Sequence, residues 1–187
     1  MLKDILIKSA ELLGRDDIIA ELNNPSNQTN NSLQNDIARL ISYYNFIVQN
    51  LCENYFQIEC IDKIKSNKDR KIYLSSFSYQ PLKILSIKDE NTSRFFTLNS
   101  THILVPNPNT IYEVNYSYVP DQILDLNSCE ILPKNLPQKI VCYGIVSEFL
   151  ASKNLYDESV FWNNKFMFEI YKTKTNSNKR LKATFKL

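Results

Sequence analysis

Glycine is almost missing from this chain: Gly14 and Gly144 are the only two in 187 residues. Glycine-rich turns that cradle phosphate groups are therefore excluded as a class. Histidine occurs once, as His102 in the segment THILVP, which reads as a strand. A lone strand histidine reads as structural, and without it a Ser or Cys nucleophile lacks its usual base. The four cysteines, Cys52, Cys60, Cys129 and Cys142, form no CxxC pair. A zinc site would need ligands converging from unrelated segments, so they read as small buried hydrophobes in a reducing compartment. The acid pairs Asp16/Asp17, Asp89/Glu90 and Asp157/Glu158 are sequence neighbours at helix starts or in a turn, where capping and solvation explain them. The expectation is a non-enzyme with no catalytic residue, no cofactor and no metal.

Long apolar runs are also missing. No stretch approaches the ~18 residues of a membrane span. The opening MLKDILIKSAELLGRDD is interrupted by Lys3, Asp4, Lys8 and Glu11, so it lacks the apolar core of a signal peptide. These features lead us to expect a soluble protein made in a cytoplasm. A net charge of +2 is too small to cover a face with positive charge for nucleic acid.

What is present is helical at both ends and β-rich between. Leu2, Ile5, Leu6, Leu12 and Leu13 follow helical spacing, and Gly14 sits where a left-handed C-cap is wanted. Asp16 opens a short helix with Ile18, Ile19 and Leu22, and the polar loop NNPSNQTNNS follows. Leu33, Ile37, Leu40, Ile41, Tyr44, Ile47, Val48 and Leu51 make the longest apolar stripe, which needs partner helices. From Phe56 to Pro120 the period shortens. KIYLSSF, PLKILSIKD, SRFFTLN and THILVP are short, β-branched or aromatic, and separated by polar turns. In TIYEVNYSYVP, Tyr112, Val114, Tyr116 and Tyr118 share one strand face. Five or six strands at this spacing predict a small antiparallel sandwich or partial barrel.

After Pro137 the helix with Ile140, Val141, Tyr143, Ile145, Val146, Phe149 and Leu150 is apolar nearly all round, so it should be the most buried. Gly144 in its middle costs up to ~1 kcal/mol against Ala, which close approach of a neighbouring element would justify. Beyond the break SKN, Val160, Phe161, Met167, Phe168 and Tyr171 are expected to face the core, with Trp162, Phe166 and Ile170 as a second row. That surplus suits additional core or a subunit contact, and composition favours core.

The fold class expected is α+β: a helical bundle built from both chain termini, residues 1–54 and 133–172, with a small antiparallel β-sheet or sandwich, residues 55–132, inserted between them. Residues 173–187 form a basic C-terminal tail. Lys172, Lys174, Lys179, Arg180, Lys182 and Lys186 carry six positive charges with no acid. Leu181, Ala183, Phe185 and Leu187 alternate with Lys182, Thr184 and Lys186. This period of two suggests that the last seven residues add as a strand to another subunit's sheet edge, or dock in a partner's groove.

The hairpin YGIVSEFLASKNLYDESVFW resembles the C-terminal signature of bacteriophage head–tail connector proteins, the neck or adaptor group similar to tail tubular protein A. The residues carrying the resemblance are Tyr143, Gly144, Val146, Glu148, Phe149, Leu150, Asn154, Leu155, Glu158 and Trp162. Asn154 stands where the family usually has Gly, and Asn tolerates the left-handed conformation. Tyr116, Tyr118 and Pro120 resemble the family's late strand, and LIKSAELLGRDDIIAEL its opening helix and acidic turn. The resemblance implies a structural virion protein in the phage neck, assembled in the host cytoplasm as a dodecameric ring. Its partners would be other copies of itself, the portal protein above, a tail or neck protein below, and DNA as passing cargo. The tail, through Lys172, Lys174, Lys179, Arg180, Leu181, Phe185 and Leu187, would meet the portal or a neighbour. Eleven Tyr among 12% aromatic residues could furnish the two different faces that a head-to-tail ring contact needs. The alternatives are a small nucleic-acid-binding module, a ligand-binding domain or a minor enzyme.

Overall fold

The computed structural model describes residues 2–25, 31–90, 92–126, 132–133 and 136–183, with side chains as far as 175. The chain is α+β. Five helices are described: α1 (Leu2–Leu12), α2 (Asp16–Asn23), α3 (Asn31–Asn54), α4 (Gln138–Ser152) and α5 (Tyr156–Ala183). Seven strands lie between α3 and α4: β1 (Ile58–Lys65), β2 (Lys71–Tyr73), β3 (Pro81–Asp89), β4 (Thr92–Ser93), β5 (Thr97–Leu98), β6 (His102–Leu104) and β7 (Ile111–Tyr118). Two compact units result. One comprises Met1–Leu51 and Gln122–Leu187, the other Cys52–Asp121.

In the helical unit the C-cap at Gly14 is as the sequence predicts. Gly14 has φ 65°, its N–H reaches Glu11 O, and the Arg15 N–H reaches Ala10 O. These two bonds satisfy carbonyls that the end of α1 would otherwise leave open. α4 packs on α1 and on α5. Its faces are buried nearly all round, with Ile140, Val141, Ile145 and Val146 fully enclosed. α3 turns Leu40, Tyr44, Ile47 and Leu51 inward. A buried carboxylate, Asp36 on α3, accepts from Arg15 Nη1 at 2.9 Å and Lys153 Nζ at 2.8 Å. It thereby links the start of α2, α3 and the break between α4 and α5.

The sequence boundary for the β-rich insert, 55–132, differs from the observed one. Residues from Gln122 onward belong to the helical unit. The cause is a reciprocal pair of bonds: Asn45 Nδ2 donates to Ile123 O at 2.7 Å, and Ile123 N donates to Asn45 Oδ1 at 2.9 Å. The connector is thus fastened to α3 before it enters α4.

The β unit contains a four-stranded antiparallel sheet, ordered β1-β7-β3-β4, and a three-stranded one, ordered β2-β6-β5. β7 is central, paired with β1 from Ile58↔Tyr118 to Lys65↔Ile111 and with β3 on its other edge. The alternation read from the sequence holds: Tyr112, Val114, Tyr116 and Tyr118 are all buried. They share a core with Ile84 and Ile87 of the larger sheet and Ile72 and Ile103 of the smaller. His102 lies on β6, half-buried, between the side chains of Asn99 and Thr101.

Two expectations for the last helix are corrected. Val160, Phe161, Met167, Phe168 and Tyr171, expected in the core, are exposed; Phe166 and Ile170 are the buried pair. The reason is that, among the described residues, α5 packs chiefly on α4, so only one of its two apolar rows finds a partner. The backbone of α5 is also helical through Ala183, so there is no boundary at Lys172 and no extended strand at Leu181–Ala183. Lys, Arg, Leu and Ala are strong helix formers, and a formed helix propagates at little cost per residue. Thr184–Leu187, with Phe185 and Leu187, lie outside the described residues.

Candidate interaction surface

The α4–α5 hairpin is closed by local chemistry. Asn154 adopts φ 61°, the left-handed conformation that its side-chain type tolerates. Its N–H donates to Ala151 O, and the Leu155 N–H donates to Leu150 O, both at 3.0 Å. This is the two-bond closure in which a left-handed residue ends a helix. Asp157 and Glu158 then occupy the first turn of α5, where the positive helix end favours them. Farther along, the rings of Tyr143 and Trp162 meet at 5.4 Å between centroids. Gly144 meets Ile47 of α3. The structure therefore gives Tyr143, Gly144, Asn154 and Trp162 packing and turn roles in one hairpin.

The tail residues are more dispersed. Lys172 and Lys174 lie exposed on α5. Lys179, Arg180 and Leu181 belong to its helical backbone, and their side chains fall outside the described residues. Lys139, in the first turn of α4, pairs with Glu169 at 2.8 Å. The part of α5 from Ile170 to Ala183 thus runs on for about 20 Å past the level of that pair. The six positive charges after Tyr171 exceed the whole chain's net +2, so the rest of the chain is net negative.

On α5 a second surface lies opposite the buried pair. Tyr156, Val160, Phe161, Met167, Phe168 and Tyr171 form a stripe at helical spacing, with Phe168 63% and Tyr171 71% exposed. Sequence reading found the stripe but assigned it to the core. A periodicity says that a face is apolar and not what covers it.

The β unit holds a half-buried polar cluster that sequence reading missed. Asp62 lies on the inward-facing side of β1 and accepts from Ser78 N at 2.7 Å, Ser78 Oγ at 2.9 Å and Tyr116 Oη at 2.8 Å. Burial pushes the Asp62 carboxyl up, but the Ser78 N–H and the hydroxyl donors outweigh it and hold it below the usual carboxylate range. Tyr116 Oη in turn accepts from Tyr79 N at 3.2 Å, and Tyr79 stacks on Tyr118 at 4.1 Å between centroids. Each polar group is engaged by another, so the cluster fastens the segment after β2 to the sheet. On the larger sheet, Lys63, Lys88, Glu90, Ile111 and Glu113 line a shallow depression of about 210 Å³. That is below the size of ordinary ligand pockets, about 300–1,000 Å³.

Cys52 and Cys142 are buried and Cys60 is half-buried; Cys129 lies outside the described residues. Burial, with Glu53 nearby, pushes the Cys52 thiol up to about 11, away from the thiolate form. Among the described residues, no group of three or more His, Cys, Asp or Glu is placed to hold a metal ion, and no helix is long and apolar enough to cross a membrane. No protein-family model and no curated protein matches the chain.

Proposed function

We propose that this chain is a structural protein of a tailed-bacteriophage neck, a head–tail connector that assembles as a dodecameric ring between portal and tail. The observation that carries the reading is the α4–α5 hairpin. Its signature residues Tyr143, Gly144, Asn154 and Trp162 each have a turn or packing role. Support also comes from α5, which offers a lysine-rich extension for contact with other protein surfaces. In this reading the extension reaches the portal, the β unit meets the tail component below, and DNA passes without specific contact.

The test mixes the purified chain with a portal protein and follows mass and negative-stain images. Rings of connector size that join the portal support the reading. A chain that ignores the portal and instead binds DNA through the basic extension, with affinity falling steeply with salt, supports the nucleic-acid alternative.

A further inference from the structure

The apolar stripe on α5 has an internal symmetry. Taking Asn164 as origin, Phe161 and Met167 lie three residues to either side, Val160 and Phe168 four, and Asp157 and Tyr171 seven. At 3.6 residues per turn all of these fall within one face about 120° wide. All are exposed. The apolar residues three and four positions from Asn164 read alike from both ends, and a helix face of that kind is matched to an antiparallel copy of itself. Under that rotation Val160 meets Phe168 of the second copy, and Phe161 meets Met167.

We infer that two copies of this chain pair through α5, antiparallel, with Asn164 on the two-fold axis. Three observations commit the stripe to a second copy. The first is area. Tyr156, Val160, Phe161, Met167, Phe168 and Tyr171 together leave roughly 700 Å² uncovered, close to the ~800 Å² per partner of a standard stable interface. The second is charge. The acids Asp157 and Glu158 open α5, and Lys172 and Lys174 follow the stripe. An antiparallel pair sets each acidic end beside the other copy's lysines, whereas a parallel pair would set like against like. The third is the polar residue at the centre. An amide both donates and accepts, so Asn164 can bond to its own counterpart across the axis, and a lone central Asn fixes register in helix pairs.

This pairing does not depend on the neck reading. An isologous contact closes after two copies and is neither the head-to-tail contact of a ring nor a portal contact. It covers the stripe in the free protein.

The experiment uses the full chain. Analytical ultracentrifugation of the wild type should give twice the chain mass at micromolar concentration. Asn164→Cys, treated with oxidised glutathione, should form a disulfide-linked dimer that reductant reverses. Ser152→Cys, exposed but off the axis, and the wild type with its native cysteines should not. The double variant Val160→Glu, Phe168→Glu should weaken pairing by at least ~30-fold while circular dichroism stays that of the wild type, since neither side chain is in the core. A wild type that stays monomeric overturns the inference, as does an Asn164→Cys chain that cross-links no more than Ser152→Cys. Self-association that survives the glutamate pair also overturns it, by placing the contact elsewhere. Portal binding is scored separately, so either reading can fail alone.

Discussion

Gly144 and Ile47 meet with no room for a methyl group between them. A Cβ built on Gly144 would stand 2.8 Å from Ile47 Cδ1 and 2.9 Å from its Cγ2. The cost of a mid-helix glycine is therefore the condition for α3 to approach α4. Gly144→Ala gains up to ~1 kcal/mol in helix propensity but overpacks the contact by about 1–3 kcal/mol. The net expectation is a loss of about 1–2 kcal/mol in urea unfolding. In an Ile47→Ala background the same methyl has space, and its sign should reverse. Additive midpoints across the four-member cycle would contradict this account of the contact.

Asp36 predicts an acid dependence. Burial works to raise its pKa, but hydrogen bonds from Lys153 and Arg15 outweigh burial and hold it below the usual carboxylate value. The unfolded chain then takes up a proton first as pH falls. The stabilisation is complete above the unfolded value of ~3.9 and is lost as pH drops through the lower folded value. Asp36→Asn should cost about 1–3 kcal/mol at pH 7, because it leaves Lys153 without its carboxylate and Arg15 with Asp17 alone. The gap between wild type and variant should narrow toward pH 3. An unchanged gap in denaturant titrations at both values would remove Asp36 from this role.

How much of this was legible follows from what periodicity encodes. β7 alternates in sequence, and its Tyr112–Tyr118 face is the apolar one that packs into the core of the β unit. α4 is apolar nearly all round and is enclosed accordingly. α5 carries two apolar rows, and nothing along the chain says that the row of Trp162, Phe166 and Ile170 is the one that faces a neighbour. The Asp36 and Asp62 clusters were invisible for another reason. Arg15, Asp36 and Lys153 are brought together across 138 residues by packing, and no spacing rule covers such a distance. Extended backbone was read from the alternation in Leu181–Leu187, but there the helix-forming tendency of Lys, Arg, Leu and Ala prevails through Ala183.

In the β unit, Tyr116 gives an alkaline counterpart. Burial first, and then the bond to Asp62, push its phenol well above the ordinary value near 10. Its share of stability is complete below the unfolded value and is lost as pH rises through the folded one. Tyr116→Phe should cost about 1–2 kcal/mol at neutral pH and flatten the stability curve in the alkaline range. With Asp62→Asn the combined loss should be smaller than the two single losses added, since both remove one bond. Phenolate absorbance provides the direct check. One tyrosine fewer should titrate above the normal range in the variant than in the wild type.

The turn at Asn154 decides how α5 leaves α4, and its φ of 61° sets the order of tolerated side chains. Asn154→Gly removes the Cβ penalty at the cost of one exposed bond from Tyr156 Oη, so it should be neutral or stabilising by up to ~1 kcal/mol. Asn154→Val introduces branching at a left-handed position and should cost about 1–2 kcal/mol or more. The damage should be local first. Lys153 precedes the turn and reaches Asp36, and Trp162 follows it to meet Tyr143, so both contacts depend on the exit angle. Because Trp162 is the only tryptophan, its fluorescence should shift in the valine variant before global unfolding and stay unchanged in the glycine one. Valine accepted without loss of stability or shift in that emission would mean that some other residue sets the hairpin.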